Sequence, residues 1–165
     1  MPGPLSPSAQ KIQDLLNDAG HPIHVVEFSA LTRTAAEAAS VIGCEVGQIA
    51  KSVIFRTRDG NQPVLVVASG SNRVNEAAVA RHLAGVLGGD RLAKADADFV
   101  RSRTGYPIGG VPPLGHEVPP LAVLFDRDLL EHGTVWAAAG TPNTVFPIAP
   151  GSLRDLIGAT VETVT

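Results

Sequence analysis

Two parts of this chain carry residue types that could do chemistry: Lys51, and the run Gly105-Tyr106-Pro107-Ile108-Gly109-Gly110-Val111-Pro112-Pro113-Leu114-Gly115-His116. Lys51 lies near the head of an apolar, strand-like segment, Ile49 to Phe55. A strand lysine commonly snorkels to the surface along its own aliphatic stem. Turned into a cleft, its ammonium would instead hydrogen-bond an ester carbonyl, a phosphate or a ribose oxygen. As a cation it cannot act as a base without a lowered pKa, so its role would be positioning and electrostatic. The glycine run reads at its plainest as a connector in which Gly and Pro set backbone angles. The same geometry also suits a site. With no Cβ at Gly109 and Gly110 a ligand can approach and N–H groups stay free, while Pro112 and Pro113 stiffen the loop. A fixed cation beside bare N–H donors makes a pocket for a polarised carbonyl or a phosphate.

A second small-residue stretch, Ala137-Ala138-Ala139-Gly140-Thr141-Pro142-Asn143, follows a strand-like segment and could face the same cleft. Asp126, between Phe125 and Arg127, reads as a cap for the turn that follows and stays outside the catalytic set. The five histidines, His21, His24, His82, His116 and His132, show no metal-ligand spacing, and Cys44 has no CxxC partner. No metal and no cofactor is expected, and Cys44 reads as a small apolar residue rather than a nucleophile. No GxSxG elbow points to a serine hydrolase.

The elements that must position these groups are legible in outline. Ser6-Pro7 opens a helix over 8–19, with Ile12, Leu15 and Leu16 as its apolar stripe and Gly20 as its stop. Ile23 to Phe28 reads as a strand, and Thr34-Ala35-Ala36-Glu37 is a capping box opening an Ala-rich helix that ends near Gly43. The Lys51 strand meets Asp59-Gly60 and then Val64 to Ala68, an antiparallel hairpin. Helices follow at 75–84 and 96–104, the latter capped by Asp96 and ended by Gly105, so the glycine run begins where that helix stops. Short strands are predicted at 121–125, 135–138 and 144–148, then a helix near 150–158 and a last strand near 160–164. Hairpins without regular βαβ alternation predict an α+β fold around a mixed, largely antiparallel sheet, and disfavour a Rossmann-type one.

Size and composition bound the rest. A chain of 165 residues with no repeat or low-complexity linker is expected to be one domain, residues 1–165. Hydrophobic residues make up 44% but aromatics only 4%, so the core must be built from aliphatic side chains. A lone cysteine, the lack of a leader-like start and no apolar run near the roughly 18 to 20 residues of a membrane span point to the cytoplasm and away from membranes. With 13 Lys and Arg against 16 Asp and Glu, scattered rather than clustered, extended binding to a DNA duplex is not expected. A contact with one end of a nucleic acid needs only a few cations and stays open.

Taken in order, Ala50-Lys51-Ser52, Thr104-Gly105-Tyr106, Gly109-Gly110-Val111-Pro112-Pro113-Leu114-Gly115 and Ala138-Ala139-Gly140 resemble the YbaK/prolyl-tRNA synthetase editing-domain family, over about residues 21 to 162. The specificity lies in the order and spacing of the motifs. The resemblance implies a barrel-like mixed sheet flanked by helices, and hydrolysis of the ester joining a wrong amino acid to a tRNA. It implies Lys51, Gly109 and Gly110 as catalytic groups, the amides of the Gly109 to Pro113 loop holding the aminoacyl carbonyl or the terminal adenosine. It further implies Ser52, Val111, Pro113, Gly140 and Asn143 as substrate-binding residues. A ribose hydroxyl of the tRNA and backbone groups would orient the water. Alanine-editing relatives tend to carry Asn after the lysine and a GxxH arrangement, where this chain has Ser52 and Gly140-Thr141-Pro142-Asn143. Alanine specificity is therefore not implied, and Ser, Cys, Thr, Ala or another small amino acid stays open.

The leading expectation is a trans-acting aminoacyl-tRNA deacylase, on tRNA-Pro carrying a small non-cognate amino acid. Its partners would be the aminoacyl-tRNA acceptor end, with prolyl-tRNA synthetase or an elongation factor supplying tRNA affinity. A non-catalytic nucleotide- or aminoacyl-tRNA-binding regulator is the alternative from another class, and a hydrolase of small acyl esters without tRNA is a third.

Overall fold

The computed structural model describes residues 4–29, 32 and 34–165. Helix α1 (Pro7–Asp18) begins at Ser6, whose Oγ accepts from the Ala9 amide at 3.4 Å, and it buries Ala9, Ile12 and Leu16. Helix α2 (Ala35–Ile42) begins at Thr34, whose Oγ1 accepts from the Glu37 amide at 3.1 Å, and it ends at Gly43. Between them, among the described residues, only β1 (Val26–Glu27) forms, shorter than the predicted Ile23 to Phe28 strand. The reason is Gln13 on α1. Its amide donates to the Ile23 carbonyl at 2.7 Å and its oxygen accepts from the Val25 amide at 2.8 Å, taking the place of a ladder partner.

The hairpin forms as expected, with β2 (Ile49–Thr57) antiparallel to β3 (Pro63–Ser69) and Lys51 opposite Ala68. Helices α3 (Glu76–His82) and α4 (Ala84–Leu87) follow, then β4 (Leu92–Lys94), a strand that sequence reading missed. Three residues without period-2 alternation leave too little pattern to read, and β4 exists because the far end of β2 offers it a ladder. Helix α5 (Ala97–Thr104) is capped by Asp96, whose Oδ1 accepts from the Phe99 amide at 2.8 Å. The rest comprises β5 (Ala122–Asp126), β6 (Val135–Ala138), β7 (Thr144–Ile148), α6 (Pro150–Ile157) and β8 (Thr160–Glu162).

The fold is α+β. Its single mixed sheet runs β1-β7-β6-β2-β3-β5-β8, with β4 paired to β2 off that path. The β1–β7, β2–β3, β2–β4 and β6–β7 pairs are antiparallel and the β2–β6, β3–β5 and β5–β8 pairs parallel. The order does not return from β8 to β1, so the sheet stays open rather than closing into a barrel. Strand alternation divides the core in two. Ala50, Ile54, Leu65 and Val67 pack into one cluster with Ile12, Leu16, Phe125 and Phe146, while Phe55, Val64, Val66 and Ala68 pack into another with Val79 and Leu83.

One detail of the topology positions the site. β3 covers one edge of β2 from Ala50 to Arg56. The opposite edge is shared: β6 pairs at Ile49 and Ala50, and β4 only at Phe55 to Thr57. Residues 51–54 therefore have no strand partner there among the described residues. The Gly70 amide donates to the Ile49 carbonyl at 2.7 Å, so Ile49 and, by antiparallel alternation, Lys51 and Val53 aim their backbone groups at β3. Ser52 and Ile54 aim theirs at the open edge.

Candidate active site

Where the sheet splits, a cavity of about 200 Å³ opens. Ile49, Ala50, Lys51 and Ser52 form its floor, Gly109 and Val111 one wall, Trp136, Ala138, Thr141 and Thr144 another, and Thr32, Thr34, Ala35 and Ala38 its lid side. Each wall has a local cause. The glycine loop leaves α5 at Gly105 and returns with the Glu117 and Val118 amides bonded to the Thr104 and Arg103 carbonyls at 3.1 and 2.8 Å, closing it at its base. Tyr106, 3% exposed, plants it in the core and donates its hydroxyl to the Gly115 carbonyl at 3.1 Å. The lid is stitched to the 138–144 segment. The Phe28 amide donates to the Asn143 carbonyl at 2.8 Å, Asn143 Nδ2 to the Phe28 carbonyl at 2.8 Å, and Thr32 Oγ1 to the Pro142 carbonyl at 2.8 Å.

Lys51 Nζ donates to the backbone carbonyl of Asn72, on the turn after β3. Asn72 is itself fixed, its Nδ2 donating to Asp126 Oδ2 at 2.8 Å and Asp128 Oδ2 at 2.7 Å. Asp126 is 1% exposed; it also accepts from the Ser69 amide at 3.0 Å and, as sequence reading expected of a cap, from the Asp128 amide at 3.0 Å. Burial pushes the Lys51 pKa below that of a free lysine, and the nearby Asp126 carboxylate pulls it back up. An ammonium has three N–H groups, so one bond to Asn72 leaves two for a ligand.

Ser52 adds a signal no sequence shows. Ser52 lines the cavity, and its Oγ is buried beneath that lining with no hydrogen-bond partner among the described residues. A buried hydroxyl without a partner costs free energy, and it lies close beneath a cavity in which a polar group of a ligand would be its nearest prospective partner once the side chain turns.

Of the eight residues singled out from sequence, Lys51, Ser52, Gly109 and Val111 line the cavity together. The other four stand behind it. Gly110 does not offer a free amide, because its N–H is donated to the Pro107 carbonyl at 3.0 Å. It is glycine for another reason: a Cβ there would lie 2.8 Å from Thr141 Cα, so the two loops can meet only if it is absent. Gly140 likewise packs where a Cβ would sit 2.9 Å from Ser8 Cβ. Asn143 spends both ends of its side chain on Phe28 and Thr141. Pro113 lines a separate depression with Leu114, His116 and Ile157. Sequence reading missed Ala35, Ala38, Trp136 and Thr144 as lining residues, along with the Asn72–Asp126 brace. The only trace of the brace in the sequence is the cap signal at Asp126. Burial raises the Cys44 thiol pKa, which keeps it from thiolate character. Among the described residues no group of three or more His, Cys, Asp or Glu is placed to hold a metal ion, and no helix is long and apolar enough to cross a membrane.

With the geometry in view, comparison with known proteins is decisive on kinship. Residues 30–156 match the family model of the aminoacyl-tRNA editing domain. The chain belongs to that family. The match takes in the floor and both walls of the cavity, while α1, β1 and β8 lie outside it. A Bacillus subtilis (strain 168) relative, the uncharacterized protein YwhH, is 31% identical over 131 residues, which is 79% of each chain. Among solved structures, a candidate trans-editing enzyme for prolyl tRNA synthetase superposes with a TM-score of 0.86 at 43% identity, covering 98% of this chain and 99% of that one. The hypothetical protein APE2540 superposes with a TM-score of 0.81 at 30% identity, covering 93% and 98%. The fold of this chain is thus matched over nearly the whole length of both solved structures.

Proposed function

We propose that this editing domain is a trans-acting aminoacyl-tRNA deacylase that cleaves the ester of a tRNA, tRNA-Pro in the first instance, carrying a small non-cognate amino acid. The observation that carries the reading is the meeting of Lys51, its ammonium braced through Asn72, with Ser52 and the Gly109 and Val111 loop around one cavity. The lining of Ala35, Ala38, Ala138 and threonines suits a short side chain with a little polarity. The choice of tRNA-Pro is supported by the 43% identical neighbour described as acting for prolyl tRNA synthetase.

In this mechanism Lys51 and the Gly109 amide are the catalytic groups. The aminoacyl carbonyl lies against them, and the charge that develops on its oxygen as water attacks is met by donors already in place. The bond from the carbonyl carbon to the ribose oxygen then breaks, the departing oxygen takes up a proton, and free amino acid and tRNA leave. The neighbouring ribose hydroxyl orients the water. Ser52 and Val111 touch the aminoacyl group, while Gly110, Pro113, Gly140 and Asn143 set the shape of the loops. Prolyl-tRNA synthetase or an elongation factor would supply tRNA affinity that a chain of net charge -3 provides only sparingly.

The test is release of amino acid from tRNA-Pro charged separately with Ala, Cys, Ser, Thr and Pro, comparing the natural chain with K51A. Selective release by the natural chain, lost in K51A, is the expected result. Hydrolysis at the spontaneous rate for every ester, with prolyl-tRNA synthetase present, would remove tRNA-Pro deacylation as the function.

A further inference from the structure

Lys51 borders a second depression, of about 340 Å³, that runs away from the catalytic cavity along the other face of β2. Val53 and Phe55 form its floor, Arg73 and Glu76 one bank, and Lys94 the other. Their convergence is set by the fold. Lys94 is carried by β4 directly opposite Phe55 in the ladder, and Arg73 is the residue after Asn72, whose carbonyl holds Lys51. Arg73 and Lys94 are both exposed, and neither makes an ion pair or side-chain hydrogen bond among the described residues. Arg73 and Lys94 thus meet one lining carboxylate, Glu76, beside a Lys51 whose charge is already faced by Asp126, in a chain whose formal net charge is -3. An unpaired cationic groove on an acidic protein costs self-repulsion with no structural return, and an anionic ligand would offset it.

Resting on the proposed function, we infer that this groove seats the phosphodiester backbone of the single-stranded 3′ end of the tRNA, with Arg73 and Lys94 contacting phosphate. The ester is attached at the last nucleotide. If its carbonyl lies at Lys51 in the first cavity, the strand that brings it must leave past Lys51, and the cationic groove begins at that residue. Phosphate contacts of this kind position a strand without reading its sequence. The floor holds Val53 and Phe55 rather than polar base-reading side chains, which fits a backbone track.

The experiment uses a fluorescent acceptor-stem RNA minihelix with its single-stranded 3′ end, binding the full chain or an R73Q/K94Q double variant over a range of salt. A second arm measures ester cleavage on a 3′-aminoacyl-adenosine, which has no phosphate. Exposed charge substitutions of this kind move stability little, so folding is not at issue. The double variant is expected to bind the minihelix about tenfold or more weakly. Its log-log salt slope should be shallower by about 1.4, or about 0.7 for each lost single-strand contact. Cleavage of the aminoacyl-adenosine should be the same in both chains, and E76Q should bind the minihelix more tightly. Equal minihelix binding and equal salt slopes in the two chains overturn the inference, as does a natural chain that does not bind the minihelix at all. Failure of the natural chain to cleave either ester would instead strike the deacylase reading, while the binding arm still decides the groove.

Discussion

Replacing Asp126 with Asn tests the brace beneath the catalytic lysine with little change in size. In the native chain one carboxylate oxygen accepts from the Ser69 amide and Asn72 Nδ2 at 3.0 and 2.8 Å, and the other accepts from the Asp128 amide at 3.0 Å. An asparagine has one acceptor oxygen. Placed toward Ser69 and Asn72, it leaves its NH2 facing the Asp128 N–H; flipped, it faces two donors with a third. The better orientation strands one part-buried N–H, costing about 1 kcal/mol, and weakens two charge-assisted bonds by about 0.5–1.5 kcal/mol each, so the total is about 2–4 kcal/mol. At a urea dependence of about 2 kcal/mol/M the unfolding midpoint should fall by about 1–2 M. The functional effect passes through Asn72. With a neutral acceptor in place of the carboxylate and Asp128 still holding its other side, the Asn72 amide is gripped more loosely, and a resulting shift of up to about 1 Å at the ammonium is worth up to about 100-fold in deacylation rate. A further readout separates this from simple loss of fold. Asp126 raises the Lys51 pKa, so D126N should move the alkaline limb of the rate to lower pH. A D126N chain with native midpoint, native rate and an unmoved alkaline limb would refute the brace.

Lys51 has a lowered folded pKa, so two pH effects follow. Activity that needs the ammonium should fall as pH rises through a value below an ordinary lysine's pKa of about 10.4, measurable by NMR titration of its Cε. For stability, a cation whose folded pKa lies below its unfolded one costs the fold at every pH under the folded value, and that cost fades as pH climbs toward the unfolded value. K51M should therefore unfold at the same or higher urea than the natural chain at pH 7 while losing about 100-fold or more in rate; a clearly lower midpoint would sink this. Ser52→Ala removes a buried hydroxyl with no partner, so it should leave the melting temperature level or raised while weakening ester turnover. A melting temperature several degrees lower would reveal a partner for that hydroxyl. Gly110→Ala drives a Cβ to 2.8 Å from Thr141 Cα and should cost about 1–3 kcal/mol by prising the two loops apart, checked by urea unfolding; a neutral result would show that the loops give way freely.

The sequence alone determined most elements, because the signals for them are local. Ser6, Thr34 and Asp96 cap their helices with side chains a few residues from the amides they serve, and the β2–β3 hairpin follows from two apolar runs joined by a turn. Lys51, Ser52, Gly109 and Val111, which line one cavity, could be named as candidates because a lysine in an apolar strand and a glycine loop stand out in one dimension and motif order and spacing carry the rest. The tertiary structure decided what depends on partners far apart in the chain. Gln13 took the ladder bonds of residues 23 and 25, and so cut β1 short across about a helix length of sequence. β6 and β4 divided one edge of β2 and left Ser52 bare between them, which no periodicity in β2 could announce. The Gly110 amide, read as free, was spent on Pro107, and Asp126, read as a local cap, proved also to hold Asn72 beneath Lys51. A hydrogen bond satisfies one donor and excludes every other, and which donor reaches a given acceptor is settled only when the chain is folded.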